Sequence, residues 1–318
     1  MYAAKLWCYA KAHVSLSLKL PFWAKLLLST LVLLVPAFAS SHSGVNEVWT
    51  VVTQPTHLVS GSPLLIRVKA PNALERLSGQ WLGRSVVFDF DPASKAWYAL
   101  AGVSLETKPG RYPLQLNGTT KTEQKVSFDR NISIGKAKHR QISVNVSKKF
   151  TEPSAGQLKT IAEDKQLKES LFNRVTPVRE WFGNFRAPVN APISDVFGTE
   201  RVFNGKVQSY HQGLDYGVPS GTPVSALNSG TVLLARNLYF EGNCVVIDHG
   251  QGLLTLYLHL SEFAVKQGES VKRGQVIGFS GGTGRATGPH LHVAVRWQGI
   301  YVDPATLLTL NLPTSAAP

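Results

Sequence analysis

The sequence predicts a mainly β protein: an antiparallel β-sandwich, a helical connector and a second, glycine-rich antiparallel β unit. Three observations carry that expectation. Short runs alternating apolar and polar residues recur between turn signals over the first half of the chain, the pattern of half-buried strands. One segment, 154–173, carries helix-like spacing. Fifteen of the 27 glycines fall between Gly213 and Gly299, among short β-branched runs, which indicates tight-turned β structure and not long helices. With 318 residues, 43% hydrophobic and 17% charged, the chain has material for two cores, and a disordered or collagen-like class is excluded.

The first element reads as an export signal. Residues 26–35, LLLSTLVLLV, follow Lys25 and lead into Pro36-Ala37-Phe38-Ala39, a small-x-small pattern suited to signal peptidase. An apolar run of about ten to fourteen residues is shorter than the roughly twenty a spanning helix needs. Residues 1–39 are therefore expected to be a signal peptide, and the long basic region before the apolar run leaves an uncleaved anchor as the alternative. Cys8 lies in this segment, so Cys244 is the one thiol beyond it. A disulfide framework is excluded, and Cys244, in the run Cys244-Val245-Val246-Ile247, reads as a buried thiol. A net charge of +13 without long basic runs favours a polyanionic partner and leaves cell wall, nucleic acid and membrane open.

Residues 43–147 are expected to form the sandwich. LLIRVKA (64–70), VVFDF (86–90), RYPLQL (111–116) and QISVNV (141–146) alternate, and Pro71-Asn72, Lys108-Pro109-Gly110 and Asn117-Gly118 punctuate them. No catalytic residue types cluster there; His57 and His139 stand alone. Residues 150–185 read as connector and linker: Leu158, Ile161, Ala162, Leu167, Leu171 and Phe172 recur at helical intervals, and Pro177, Pro188 and Pro192 follow. A second unit is expected over 186–312, with strands in TVLLARN (231–237), CVVIDHG (244–250), LLTLYLHL (253–260) and VIGFS (276–280).

Chemistry concentrates in that second unit. Five of the nine histidines lie there: His211, His249, His259, His290 and His292. In His290-Leu291-His292, residues two apart on a strand face the same side, so both rings share one space. His211-Gln212-Gly213-Leu214-Asp215 adds an imidazole and a carboxylate on a glycine-bent extended segment. Two imidazoles and one carboxylate make an open-sided zinc set, with catalytic zinc favoured over a cysteine-rich structural site. A non-haem iron triad is the rival reading.

These pieces resemble the lysostaphin/LytM-type zinc endopeptidases of bacterial cell walls, whose pattern is H-x-x-x-D, then H-x-H, with another His between. Here the matching text is HQGLD (211–215), YLHL (257–260) and GPHLH (288–292). Phe197-Gly198, GVPSGTPVSA (217–226), GESVKRGQVIGFSGGTG (268–284) and Val302-Asp303-Pro304 agree in order, over about 120 residues. The resemblance implies a LytM-type peptidase domain, Zn²⁺ held by His211, Asp215 and His292, and catalytic roles for His259 and His290. AWYALAGVSL (96–105) and the helical connector resemble the companion region of exported Gram-negative members, which implies an Ig-like N-terminal domain and a periplasmic or cell-envelope location.

The implied activity is hydrolysis of peptide bonds in peptidoglycan stems or cross-bridges. The alternative is a non-catalytic LytM-type module that binds the wall or activates an amidase. The implied partner is a peptidoglycan peptide and not nucleic acid, with membrane contact only through an uncleaved N-terminal segment, and a monomer is expected. The N-terminal domain is expected to position or cover the groove. Gly281-Gly282-Thr283-Gly284 reads as a turn lining the cleft, Arg285 as a contact for an anionic group or a solvated side chain, His249 as structural, and Tyr257 as either groove wall or core.

Overall fold

A computed structural model describes residues 48–143, 152–203 and 206–314. The export segment expected over 1–39 lies outside them. Among the described residues no helix is long and apolar enough to cross a membrane.

The N-terminal half is built from two sheets. One has the order β1 (Thr50–Gln54), β3 (Pro63–Lys69), β7 (Ala96–Gly102), β6 (Asp89–Asp91); the other runs β2 (Leu58–Val59), β9 (Lys125–Gly135), β8 (Gly110–Thr120), β4 (Leu74–Trp81), β5 (Arg84–Val87). The period-two pattern decides which faces turn inward. Leu77 and Trp81 on β4, and Leu114 and Leu116 on β8, are buried while their neighbours are exposed, and they join Leu64, Ile66 and Val68 of β3 in one core. The VVFDF run divides at buried Phe88, leaving β5 in one sheet and β6 in the other.

Strand β7 is buried at every residue because its outer side meets the C-terminal half. There the dominant feature is an eight-stranded sheet: β11 (Ile193–Asp195), β14 (Leu214–Tyr216), β22 (Leu291–Trp297), β18 (Leu253–Leu260), β17 (Gly242–Asp248), β16 (Gly230–Leu238) and β20 (Ser270–Val271), with β23 (Ile300–Val302) paired to β22. A three-stranded sheet of β15 (Pro223–Ser225), β21 (Val276–Phe279) and β19 (Glu262–Phe263) accompanies it. The N-terminal sheets meet the β22–β23 turn, where Arg84 Nε donates to the Gln298 carbonyl at 3.0 Å and Gln298 Nε2 donates to the Ser85 carbonyl at 2.8 Å.

The helix expected over 154–173 forms as α1 (Ala155–Phe172). Ser154 caps it, its hydroxyl accepting from Gln157 N while Gln157 Oε1 accepts from Ser154 N, a reciprocal capping box. Its C-terminal turns pack Leu167, Leu171 and Phe172 against Leu234, Leu238 and Leu256, whereas Leu158 is exposed. Buried Asp164 accepts from Tyr239 N at 2.7 Å. Helix α2 (Pro304–Leu307), capped by Asp303, is the last helix among the described residues.

QISVNV joins neither N-terminal sheet. Residues 144–146 lie outside the described set; the rest, β10 (Gln141–Ser143), pairs in parallel with β12 (Glu200–Phe203), which continues into β13 (Lys206–Tyr210). The alternation was legible, but a partner some sixty positions away leaves no local signal.

His249 is fully buried, its Nδ1–H donating to the Ser229 carbonyl at 2.7 Å and its Nε2 accepting from Thr255 Oγ1 at 2.8 Å. Burial pushes its pKa from 6.5 down to about 4, against Ser229 and Asp248, which favour the charged ring. Below pH 6.5 the unfolded chain therefore takes up a proton that the native ring refuses. Stability attributable to this ring should fall by about 1.4 kcal/mol per pH unit until about pH 4, roughly 3 kcal/mol in all. Urea unfolding at pH 7 and pH 4.5 checks this: His249→Gln should be less stable at pH 7 yet lose less on acidification, and equal losses would refute the assignment.

Candidate metal centre

Strand β14 lies between β11 and β22, and its register sets Asp215 directly opposite Asp195 on one side and His292 on the other. Directly opposed residues of an antiparallel pair have Cβ atoms about 5 Å apart, so regular sheet pairing alone brings Asp215 to His292. His211 follows β13, fixed by its own N–H donating to the Thr199 carbonyl at 2.9 Å and its carbonyl accepting from Gly198 N at 2.8 Å. His211 Nδ1 lies 2.9 Å from the Val196 carbonyl and 3.3 Å from Asp195 Oδ2. Two acceptors there require the proton on Nδ1, leaving a lone pair on Nε2.

That lone pair points into a triangle. His211 Nε2 stands 3.1 Å from Asp215 Oδ1 and 3.0 Å from His292 Nδ1, and His292 Nδ1 stands 2.7 Å from Asp215 Oδ1. One proton on His292 Nδ1 can serve two of these three edges, but the His211–Asp215 edge then remains acceptor against acceptor. All three residues are largely buried, His211 at 1% and Asp215 at 8% exposure. A cation among the three donors relieves that edge. Zinc bonds of about 2.0–2.2 Å in tetrahedral geometry imply donor separations of about 3.3–3.6 Å, so the edges of 3.1 and 3.0 Å need to open by a few tenths and the His292–Asp215 edge of 2.7 Å by more. Glycine completes the fit: a Cβ on Gly213 would stand 2.5 Å from His292 Cε1 and Nε2, so the ring packs where no other residue leaves room.

Burial works to raise the Asp215 pKa, but hydrogen bonds and charge from His211 and His292 outweigh it, and the carboxyl sits well below its ordinary value. Burial holds His292 below its ordinary value in spite of Asp215, favouring the neutral ring that a metal requires.

The other two histidines stand over this triangle. Ring centroids of His259 and His290 are 4.9 Å apart, and His290 Nε2 lies 4.0 Å from Asp215 Oδ1. His259 Nδ1–H donates to the Thr283 carbonyl at 2.8 Å, and His290 Nδ1–H to the Gly288 carbonyl at 2.8 Å, so each keeps Nε2 for other partners. Burial, reinforced by His292 and His290, pushes the His259 pKa down to about 3, which keeps that ring neutral at neutral pH. Its φ of 62° lies in the left-handed region, an uncommon position for a non-glycine residue and one that clusters at functional sites.

The same distortion settles Tyr257. Between Tyr257 and Leu260, β18 advances three residues while β17 advances two, from Val245 to Asn243, so a bulge breaks the alternation. Tyr257 turns into the core, its hydroxyl accepting from Leu227 N at 2.8 Å, and does not wall the groove. On β22 the alternation is intact: Leu291 is buried while His290 and His292 face the cleft.

The cleft has a volume of about 800 Å³ and is walled by residues including Arg140, Tyr210, Phe240, Glu241 and Arg285. Arg285 lies over the Phe240 ring at 4.8 Å. Among the described residues, none of β1–β9 lines the cleft, so the N-terminal sheets do not cover it. The expected Gly281–Gly284 wall is also absent; that loop instead supplies the Thr283 carbonyl to His259. Asp195, behind His211, carried no sequence signal, because β11 is three residues long and only its pairing with β14 reveals the carboxylate's place.

The model of peptidase family M23 matches residues 209–304, which span His211, Asp215, His259, His290 and His292. These residues form an M23 domain. The chain is 46% identical over 107 residues to the peptidoglycan DD-endopeptidase ShyA of Vibrio cholerae, covering 34% of this chain and 24% of that protein. It is 47% identical over 104 residues to the DD-carboxypeptidase/endopeptidase Mpg of Neisseria meningitidis, covering 33% and 23%. The chain thus spans about a quarter of the length of these curated relatives. A crystal structure of a putative peptidase M23 from Pseudomonas aeruginosa superposes with a TM-score of 0.59 at 29% identity, over 79% of this chain and 94% of that one. That likeness extends well outside the M23 domain.

Proposed function

We propose that this protein is a zinc-dependent endopeptidase that hydrolyses peptide bonds in peptidoglycan stem or cross-bridge peptides. The observation that carries the reading is the His211–Asp215–His292 triangle, an arrangement with one acceptor–acceptor edge, at the base of a cleft that also holds two more imidazoles. The name of the Vibrio cholerae relative supports peptidoglycan as substrate, and the net charge of +9 that remains of +13 without Lys5, Lys11, Lys19 and Lys25 favours an anionic wall. Retention of all three donors and both further histidines speaks against a non-catalytic module.

His211, Asp215 and His292 are the residues that would hold zinc. Bound there, the ion supplies a Lewis acid for the scissile carbonyl and acidifies a water. His259 and His290, each with Nδ1–H committed to a backbone carbonyl, offer Nε2 lone pairs to the cleft. A ring of this kind takes the proton of the attacking water, and once protonated it donates Nε2–H to the oxyanion or the leaving amine. The carbonyls of Thr283 and Gly288 fix which nitrogen is presented.

Residues 43–147 serve as an Ig-like companion and 150–185 as connector to a catalytic unit over 186–312. The two N-terminal sheets, antiparallel except for the β2–β9 pair, and their shared core support the first part. The protein acts outside the cytoplasm, in the cell envelope or periplasm, as a monomer whose cleft one chain completes.

Purified protein incubated with isolated sacculi should release soluble muropeptides and deplete cross-linked dimers, as read by mass spectrometry, which also fixes the bond cut. Chelation should stop release and zinc should restore it. Release unaffected by chelation, or cleavage of folded secreted proteins with sacculi intact, would overturn the reading.

A further inference from the structure

The chain leaving the N-terminal half reaches the back of the triangle. Asp195 Oδ2 faces His211 Nδ1 at 3.3 Å, and its Oδ1 accepts from Thr199 Oγ1 at 2.8 Å and from Val196 N at 2.9 Å. Arg140 Nη2 also donates to Oδ1 in a short ion pair. The same guanidinium donates from Nε to Thr199 Oγ1 at 3.2 Å and from Nη2 to the Ser194 carbonyl at 3.4 Å. Arg201 is the other cation near Asp195, but at 3.7 Å from Oδ2 it stands beyond hydrogen-bond reach.

Backbone pairing sets Arg140 in place. Its carbonyl accepts from Glu200 N at 2.8 Å, and the parallel β10–β12 register begins at the next residue. The approach requires Gly198, which has φ +80°; a Cβ there would collide with the His139 ring. Burial works to raise the Asp195 pKa, but Arg140, Thr199 and His211 outweigh it and hold the carboxylate ionised. Asp195 and Arg140 both lie outside residues 209–304.

We propose that Arg140 is a positioning residue for metal binding: through Asp195 it fixes the ring and tautomer of His211, so that the M23 domain takes its full zinc affinity only with the upstream segment docked. The inference rests on the zinc reading above. A carboxylate behind a metal-binding histidine orients the ring and raises its basicity, and removing such a partner costs about 10–100-fold in affinity. A carboxylate whose Oδ1 is held by one guanidinium N–H, a threonine hydroxyl and a backbone N–H is restrained with Oδ2 toward Nδ1.

The test is zinc affinity of the full-length apoprotein, by competition with a chromophoric chelator, alongside the ligand-field spectrum of the cobalt-substituted protein. Arg140→Gln should weaken zinc binding about tenfold and shift the cobalt spectrum. Arg140→Lys, which keeps the charge, should recover most of the loss. Asp195→Asn should weaken binding at least as much as Arg140→Gln, and the double variant should be no worse than Asp195→Asn alone. Thermal unfolding of each apoprotein monitors the fold; should Arg140→Gln fail to fold, Arg140→Met carries the comparison. If the wild type binds zinc and the Arg140 variant binds within twofold of it, or if the two losses multiply, the inference is overturned and the zinc reading stands. If the wild type binds no zinc, both fall.

Discussion

Asp215→Ala should release zinc from the purified protein and lower muropeptide release on the order of a thousandfold, equal to about 4 kcal/mol of transition-state stabilisation. The size follows from the position of the carboxylate. Asp215 Oδ1 makes two edges of the triangle, at 3.1 Å to His211 and 2.7 Å to His292, and it is the anion among the three donors. Without it two imidazoles remain, 3.0 Å apart between Nε2 and Nδ1, and neither supplies a negative charge to offset a divalent ion. Asp215→Asn is the sharper comparison, since it keeps shape and one carbonyl oxygen and loses the charge. It should retain weak zinc binding and a small residue of activity. Metal content by elemental mass spectrometry, beside sacculus digestion, reads both variants. Full zinc occupancy with full release in Asp215→Ala would remove the carboxylate from the site.

What the sequence could disclose about this site followed from how local each contact is. His290 and His292 were legible because strand alternation is a property of three consecutive residues, and Leu291 in the core completes the pattern. The nearness of His211 to Asp215 was legible from Gly213, which bends the segment and leaves space for the ring of His292. The meeting of those two fragments came through the resemblance, since nothing local says that β14 pairs with β22. Tyr257 shows the converse: alternation on β18 places it with His259, and a one-residue bulge with φ 62° at His259 turns the two apart. Asp195 and Arg140 were illegible because their contacts depend on pairing across 55 positions.

The helix divides in the same way. Its existence and start were readable, because Ser154 and Gln157 form a local box. Its apolar spacing overstated the burial: Leu158 lies in solvent, and the side chain that anchors the middle of the helix is Asp164, capping the backbone of Tyr239. Of the segment expected to position or cover the groove, Arg140 and Ile142 line the cleft, whereas β1–β9 do not, for a reason of placement. The N-terminal sheets dock on the Trp297–Ile300 turn at one end of β22, and the histidines stand at the other end of that strand.

His290→Ala should leave zinc content at the wild-type level and lower the turnover of sacculus digestion by about 10²- to 10⁴-fold, the range in which a positioned acid or base contributes. His290 suits the experiment better than His259. Its ring is partly exposed, its Nδ1–H donates to the Gly288 carbonyl two residues away, and its backbone is held by the bridge to Gly281. Truncation there disturbs little besides the ring. His259 is buried in the left-handed region and bonded to Thr283, so His259→Ala would also leave the part-buried Thr283 carbonyl without that donor. Asn tolerates positive φ, which makes His259→Asn the better second variant, with the same expected loss of turnover and the same retained zinc. The contrast with Asp215→Ala is what separates the two groups of histidines: metal lost together with activity for the triangle, activity lost with metal kept for the pair above it. A His290→Ala enzyme that keeps more than a tenth of wild-type turnover would show that the ring attends the cleft without moving a proton in it.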